Sequence, residues 1–592
     1  MEAFFRKYYG DAKLILFPLL LIAFPLFKAG RGIDLADTGY SLGNYMTFGG
    51  CTSWEKLTFL SGLLGKVFTM FPFGGTLPGM RVYAGLMIGA LAVLAYRFFL
   101  TKMPAWLAFL SLLAAEGFLW APSVILYNYL TYVFFFAGAV LLFRALAGNR
   151  PRCLYFAGFV LGLNLFVRFP GNGLEVLLIF ALWYYGVLRK KAFREILKET
   201  GLCVAGYVSA FILLILVMSV CYRENALKSL IDGTLAISGS ASDYTFGEMI
   251  RSIFDAYLHG AQWGLYMAIC SLVAIPFFVL FDGKWMKLRK CFFVLCIPVL
   301  FFVLGKWGMF NFRFYQKESA LQWGAVFLLV SMGADLWMIA SKQINYDWKL
   351  VAMLSFLTIL ITPLGSNNYI WPALNNLFLI APVTCWTIYR FARWGRSHLD
   401  VTGKVPLFPV KAMLAAAVTA FFIGAVGIGC FYVFRDGEDG AALRSVVTCD
   451  GEELPVLRGT KTNEMNAANL SQLADHLKDH YGIGQNASRL FLVYGNIPGL
   501  PCYLELPCAF STTWPDLDSW PYESFEGELG SIEEGIGSGA SSAPVIIQAK
   551  PVVDSPDEND RKLTELNAFI VRNGYEVTFF NDEFAVFDLT GE

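Results

Sequence analysis

The stretch Asp34-Leu35-Ala36-Asp37-Thr38-Gly39-Tyr40-Ser41-Leu42-Gly43-Asn44-Tyr45 follows the first apolar run of the chain, Leu14–Phe27. It places two carboxylates at the predicted edge of a membrane, where a charge is costly and usually serves a function. Asp37 also precedes an apolar pattern, so a helix cap explains it equally well. The surroundings of this stretch, and its side of the membrane, decide between these alternatives.

The composition indicates a membrane protein. Of 592 residues, 56% are hydrophobic and only 16% are charged, which is less charge than soluble proteins carry. Apolar runs recur from residue 14 to residue 434, so we predict an α-helical polytopic membrane protein. The thirteen predicted spans are 14–28, 80–98, 104–120, 125–143, 153–167, 173–188, 202–221, 262–281, 291–305, 319–340, 349–363, 370–389 and 408–434.

The segment 55–73 is ambiguous, because it is apolar on one face but contains Lys56, Ser61 and Lys66. Cytoplasmic loops of membrane proteins carry an excess of Lys and Arg. If the segment lies flat, the inner loops hold 24 such residues and the outer loops before the tail hold 12. If it spans, the basic loop 189–198 faces outward. We therefore predict an interfacial helix at 55–73 within an outer loop, 29–79.

This topology places the N-terminus in the cytoplasm and the C-terminal part outside, in a plasma or inner membrane. Composition changes at Arg435-Asp436-Gly437, which divides a transmembrane module, 1–434, from an extracytoplasmic domain, 435–592. In that domain we predict helices at 463–481 and 562–572, strands at 489–494, 544–548, 575–580 and 584–589, and a loop at 535–544. The alternation predicts a small α/β domain. Cys502 and Cys508 are close enough in sequence to pair.

Polar residues at the outer ends of spans are the further candidates for a site. Arg binds phosphate with two parallel hydrogen bonds, so a lipid phosphate is a natural ligand for the cations. Contact with lipid headgroups, an aromatic belt or a local ion pair with Glu175 explains these residues about as well. They are Glu116, Tyr127, Asn128, Arg168, Lys306, Arg313 and Lys317.

The tail contains a stretch, 514–520, that mixes aromatic and acidic residues: Trp514, Asp516, Asp518 and Trp520. Aromatic faces stack on the C–H surfaces of sugars, and carboxylates accept hydrogen bonds from hydroxyl groups. These four residues are candidates for binding an acceptor. An ordinary surface loop that docks on the membrane explains the stretch more simply.

Asp37-Thr38-Gly39-Tyr40, in a first outer loop before an interfacial helix, resembles the acidic motif of the GT-C superfamily of polyprenyl-phosphate-sugar-dependent glycosyltransferases. The aminoarabinose transferase and protein O-mannosyltransferase branches are the most similar. The resemblance implies that Asp37 is the catalytic base, with Asp34 as helper or cap, and that Glu116 matches a second acidic position. Relatives often have Asp-Glu where this chain has Asp37-Thr38. The resemblance therefore leaves a divalent metal cofactor open.

The resemblance implies an inverting transfer of a sugar from a polyprenyl-phosphate donor to an outer-face glycan, wall polymer, lipid or protein. A transporter or lipid flippase is the alternative, although no internal repeat is visible. A catalytically inactive GT-C-like assembly protein is another. The sequence has no glycine-rich phosphate loop and no basic–aromatic pattern, which disfavours a nucleotide-driven enzyme and a nucleic-acid partner.

Overall fold

The structure is a computed structural model that describes residues 10, 12–50, 52–119, 121–237, 246–279, 285–309, 319–366, 368–397, 408–436, 447–449, 454–484, 487–517, 520–539, 542–557 and 560–589. The regular elements described within residues 1–434 are helices. The helices of the module are α1 (Phe17–Ala23), α2 (Asp37–Met46), α3 (Ser53–Leu57), α4 (Phe59–Thr69), α5 (Leu77–Leu100), α6 (Ala105–Gly117), α7 (Leu126–Ala147), α8 (Arg152–Leu165), α9 (Ile179–Leu188), α10 (Phe193–Tyr222), α11 (Ala226–Ile237), α12 (Phe246–Val279), α13 (Met286–Leu304), α14 (Ser319–Ala340), α15 (Tyr346–Ile361), α16 (Trp371–Asn375), α17 (Leu377–Ser397) and α18 (Phe408–Phe431).

Each of the thirteen predicted spans coincides with a helical segment, which confirms the polytopic α-helical class. In the described part of the chain, eight segments are long and apolar enough to cross a membrane. The first predicted span is shorter, and it combines a π turn (Ala12–Leu16), α1 and a 3-10 turn (Phe24–Leu26). The span at 173–188 begins as a 3-10 helix, Gly171–Leu178, before it becomes α9.

The segment 55–73 is a short helix, α3, followed by the amphipathic helix α4. Phe59, Ser61, Gly62 and Gly65 form the buried face of α4. The opposite face and the turn after it expose a run of large apolar side chains: Leu63, Val67, Met70, Phe71 and Phe73. A helix with one buried face and one exposed apolar face suits the boundary between protein, headgroups and acyl chains. A position flat on the outer surface stays a prediction.

The C-terminal domain is a small α/β domain, as predicted. Its helices are α19 (Glu464–Tyr481), α20 (Leu500–Tyr503), α21 (Tyr522–Gly537), α22 (Lys550–Asp554) and α23 (Arg561–Asn573). Its strands are β1 (Val447–Cys449), β2 (Thr460–Thr462), β3 (Phe491–Tyr494), β4 (Val545–Ala549), β5 (Tyr575–Phe580) and β6 (Phe584–Leu589). The main sheet has the order β3-β4-β6-β5, with β3 parallel to β4 and the other pairs antiparallel.

Two details of this domain differ from expectation. Helix α21 was not predicted, because its four glycines hide a helical pattern, and it extends to Gly537, inside the stretch predicted as a loop. Its buried Phe525 and Leu529 pack into the domain core. This burial stabilises the helix and offsets the low helix propensity of its glycines. The thiols of Cys502 and Cys508 are not joined.

The C-terminal domain docks closely on the first outer loop. The Gly499 N–H donates to the Leu35 carbonyl at 2.6 Å, and the Tyr503 hydroxyl donates to the Asp34 carbonyl at 2.7 Å. A Cβ on Gly39 would lie 2.4 Å from the Gly499 Cα, so the two backbones meet only because both residues are glycine. One hydrophobic core joins Leu42 and its neighbours to the domain. The loop and the domain therefore form one unit.

We expect Gly39→Ala to destabilise the protein by about 1–3 kcal/mol, because an added methyl group overpacks a contact between two backbones. The loss should appear as a lower unfolding temperature and faster proteolysis of the C-terminal domain. Gly527→Ala is the matched control. Gly527 is exposed within α21 and has open space around it, so alanine should leave stability unchanged or raise it by up to about 1 kcal/mol. Equal effects of the two substitutions would contradict this account of docking.

Candidate functional site

Asp34 and Asp37 have different roles at the start of α2. The Asp34 carboxylate is buried and accepts hydrogen bonds from the Ala36 N–H at 3.1 Å and the Thr38 N–H at 2.8 Å. These bonds satisfy amide groups that the first turn of a helix leaves without partners. Asp34 therefore fixes the position of α2. Asp37, one turn further on, is about one-third exposed and faces a cavity.

Arg435 pairs with Asp37 from the segment that links α18 to the C-terminal domain. Its Nη1 lies 2.9 Å from Asp37 Oδ2 and 4.0 Å from Asp34 Oδ1. Burial, together with a smaller effect of nearby Asp34, raises the pKa of Asp37 to about 6 against the opposing effect of Arg435. A carboxylate with a raised pKa is a stronger base than an ordinary aspartate while still being ionised at neutral pH.

A cavity of about 430 Å³ lies between the C-terminal domain and the helix ends on which that domain rests. Its walls come from α2, α3, the segments before α7 and after α8, the turn before α16, the linker and the domain. Asp37, Arg168 and Arg435 are its charged lining residues, and Asn128 and Asn368 add amide groups. The aromatic residues that line the cavity are Tyr40, Trp54, Tyr127, Phe169, Tyr369, Trp371, Phe434 and Trp514.

The aromatic residues form a chain of contacts along one wall. The Tyr40 ring lies 5.1 Å from the Trp514 ring and 5.8 Å from the Trp54 ring. Trp54 in turn lies 5.7 Å from Tyr127. Rings arranged beside carboxylate and amide groups offer both a stacking surface and hydrogen-bond partners for a sugar.

Arg168 reaches the cavity from the turn after α8. Its guanidinium lies 5.6 Å from the centre of the Tyr127 ring. No described carboxylate pairs with it, and Glu175 accepts a hydrogen bond from the Asn164 amide. Asn172 ties the turn to α7 through a 2.7 Å bond to the Thr131 hydroxyl. The Glu175 pair that the sequence left open is absent from the described residues, and a buried amide network holds the turn.

Glu116 lines a different, smaller cavity of about 90 Å³, together with Lys28, Arg31 and Arg81. Both of its carboxylate oxygens are buried without a hydrogen-bond partner among the described residues. This cavity shares Ala121 and Phe434 with the larger one. Glu116 thus lies behind the wall that Asp37 faces, and the structure does not bring the two acids together.

Of the remaining candidates that the structure describes, Trp514 lines the larger cavity and the others do not. The Lys306 ammonium lies 5.7 Å from the Phe302 ring and does not line the larger cavity. Asp516 accepts a hydrogen bond from the Asn496 N–H at 2.6 Å, and Trp520 packs on Phe510 in the domain core. Arg313, Lys317 and Asp518 lie outside the described residues. Among the tail candidates in the described residues, Trp514 alone lines the cavity.

Sequence reasoning missed Arg435, Tyr40 and Trp54. In the sequence analysis, Arg435 served only to mark the change of composition after the last span. An Arg at the predicted outer end of a span could have identified it as a candidate for the site. Trp54 directly precedes the segment 55–73 and was not singled out from the sequence. Among the described residues, no cluster of three or more His, Cys, Asp or Glu could hold a metal ion.

No family model and no curated protein matches the chain. Among solved structures, it is similar to ArnT from Cupriavidus metallidurans bound to undecaprenyl phosphate, with 11% sequence identity, a TM-score of 0.49 and 98% of each chain covered. The apo form of the same protein gives 13% identity, a TM-score of 0.37 and 97% coverage of each chain. At such low identity and structural overlap, this similarity assigns no activity or ligand to the chain.

We expect Asp34→Ala to cost about 1–3 kcal/mol of stability, because two buried N–H groups lose their acceptor. Asp37→Asn keeps the shape of a residue that is about one-third exposed, and it should cost less than about 1 kcal/mol. Thermal unfolding of the purified protein in detergent measures both. If Asp37→Asn lost more stability than Asp34→Ala, the assignment of a structural role to Asp34 and of a site role to Asp37 would be contradicted.

Proposed function

We propose that the chain is a membrane glycosyltransferase that moves a sugar from a polyprenyl-phosphate donor to an acceptor on the outer face. One observation supports this most strongly. A carboxylate with a raised pKa, two guanidinium groups and a wall of aromatic rings line a single cavity, next to a helix with an exposed apolar face. A base, an anion site, a sugar-stacking surface and a place for a lipid chain are the parts that this reaction needs.

In the proposed reaction, Asp37 takes the proton of an acceptor hydroxyl, and the oxygen attacks the anomeric carbon of the sugar. The bond from that carbon to the phosphate oxygen breaks, and the lipid phosphate leaves as an anion. Attack opposite the leaving group inverts the anomeric centre. Because a phosphate leaves already charged, positive groups such as Arg168 stabilise it and no strong acid is needed.

The lining residues suggest where each partner lies. The lipid chain of the donor would follow the exposed apolar face of α4, and its phosphate would meet Arg168. The sugar would stack on the rings of Tyr40, Trp54 and Trp514, which contact one another at the cavity wall. The acceptor would approach Asp37 from the open side beneath the C-terminal domain.

We expect Asp37→Asn to lower the rate of transfer by about 10²–10⁴-fold, the usual contribution of a positioned base. Because the base must be ionised, wild-type kcat/KM should fall tenfold per pH unit below about 6 and stay level above it. The assay uses purified protein in lipid discs with a panel of polyprenyl-phosphate sugars and outer-face glycans. Absence of transfer from every donor, or full activity of Asp37→Asn, would reject the proposal.

We expect Arg168→Ala to raise the KM for the donor by about 10–100-fold, since a charge-assisted hydrogen bond contributes about 1.5–3 kcal/mol. Lys306→Ala is the comparison, because it removes a cation that does not line the cavity. Donor titrations at saturating acceptor measure both constants. If Lys306→Ala raised the KM for the donor more than Arg168→Ala did, the phosphate site would have to lie outside this cavity.

A further inference from the structure

We infer that the Arg435 side chain exchanges one ion-pair partner for another during the reaction. It pairs with Asp37 before the donor binds, and it moves to the donor phosphate when the donor enters. The inference rests on the proposed function and extends it. It makes Arg435 a phosphate ligand and makes donor binding the event that releases the base. Its consequence is an order of events in which the acceptor is deprotonated only when the donor is in place.

The geometry places the Arg435 guanidinium on Asp37 and in the wall of the cavity to which the proposed function assigns the donor phosphate. Arg435 lies 2.9 Å from the Asp37 carboxylate and lines the same cavity as Arg168. An arginine has five N–H donors in a planar fork, which suits a phosphate at least as well as a carboxylate. A phosphate that enters between Arg168 and Arg435 would therefore compete directly with Asp37.

The backbone on both sides of Arg435 is anchored, so the side chain is the part that can move. On one side, the Lys28 ammonium donates to the Ile428 carbonyl at 3.0 Å and to the Tyr432 carbonyl at 2.8 Å. On the other, the Asp436 carboxylate accepts from the Ile33 N–H at 3.2 Å. These contacts join the end of α18 to the first outer loop.

Arg435 itself has a left-handed backbone conformation, with φ of 47°. A non-glycine residue in this region costs of order 1 kcal/mol and persists only where the surroundings impose it. The anchors on either side supply that constraint. Such residues concentrate at functional sites, and here the strained conformation aims the guanidinium at the cavity instead of along the chain.

The charges around Asp37 determine how its basicity changes when Arg435 leaves. The charged groups close to Asp37 are Arg435 and Asp34, and the other charged or titratable residues of the cavity are Arg168, Tyr40, Tyr127 and Tyr369. Arg435 lowers the pKa of Asp37, whereas burial and Asp34 raise it. Transfer of the guanidinium to phosphate removes the lowering effect. Asp37 then becomes a stronger base. With an acceptor bound it takes the proton of the acceptor hydroxyl, and with no acceptor present it takes up a proton from solvent instead.

The test measures proton uptake when a donor mimic binds. The probe is a polyprenyl methyl phosphate, a diester that keeps one charge at every working pH, so any proton taken up belongs to the protein. Calorimetric titrations of the full-length protein at pH 6.5, in buffers of different ionisation enthalpy, give both the affinity and the protons bound. Dimethyl phosphate, which lacks the lipid chain, shows whether the phosphate alone moves Arg435.

For wild type we expect uptake of a fraction of a proton with the lipid diester, and the same uptake with dimethyl phosphate at higher concentration. Asp37→Asn should bind the diester without uptake. Arg435→Gln should bind at least tenfold more weakly and also without uptake, while Arg435→Lys should recover part of the affinity. Arg572→Gln, which removes an exposed tail arginine paired with Glu533, is the control and should match wild type.

The outcomes separate the two claims. Failure of wild type to bind the lipid diester would contradict the proposed function itself. Two results would contradict the inference without contradicting the proposed glycosyltransferase activity. One is that Arg435→Gln binds the diester with the affinity of wild type. The other is that proton uptake persists in Asp37→Asn. If the protein took up a proton with the lipid diester but not with dimethyl phosphate, the lipid chain of the donor would cause the movement of Arg435. That result would reject the role of the phosphate. Asp37→Asn keeps the test decisive if Arg435→Gln folds poorly.

Discussion

The contact between the first outer loop and the C-terminal domain is the constraint on which the site depends. Two glycine backbones meet there, and the hydroxyl of Tyr503 holds the carbonyl of Asp34. Asp34 in turn caps α2 and so sets the direction of Asp37. The same interface brings Trp514 to the aromatic wall beside Tyr40. Loss of this contact would remove Trp514 and Leu517 from the wall of the cavity that Asp37 faces.

The elements of the fold could be predicted from sequence because each leaves a local pattern. Apolar runs located the spans, and alternation located the strands of the C-terminal domain. The exceptions have physical reasons. Helix α21 is rich in glycine and is stabilised by the burial of Phe525 and Leu529, which no local propensity reveals. At 55–73, the choice of an interfacial helix over a span rests on the distribution of charge over the whole chain and stays a prediction.

The site was only partly accessible to the same reasoning. Asp37, Arg168, Tyr127 and Asn128 were found because polar groups at the outer ends of spans are conspicuous, and all four line the larger cavity. Arg435 was missed because its meaning comes from a neighbour about 400 positions earlier in the chain, which no local pattern encodes. Glu116 was named from the sequence, but its separate cavity depends on how α5, α6 and α18 pack, and no local pattern encodes that packing.

The long separation between the partners also has a consequence for how the site comes into being. Asp34 and Tyr503 are 469 positions apart, so the ribosome inserts the first loop long before it makes the domain that covers it. During that interval Arg435 and Trp514, which line the same cavity as Asp37, have not yet been made. Because contacts between distant parts of a chain form late, the cavity is among the last features to assemble. A nascent chain therefore has its membrane helices before Trp514 and Leu517 of the C-terminal domain complete the wall of the cavity.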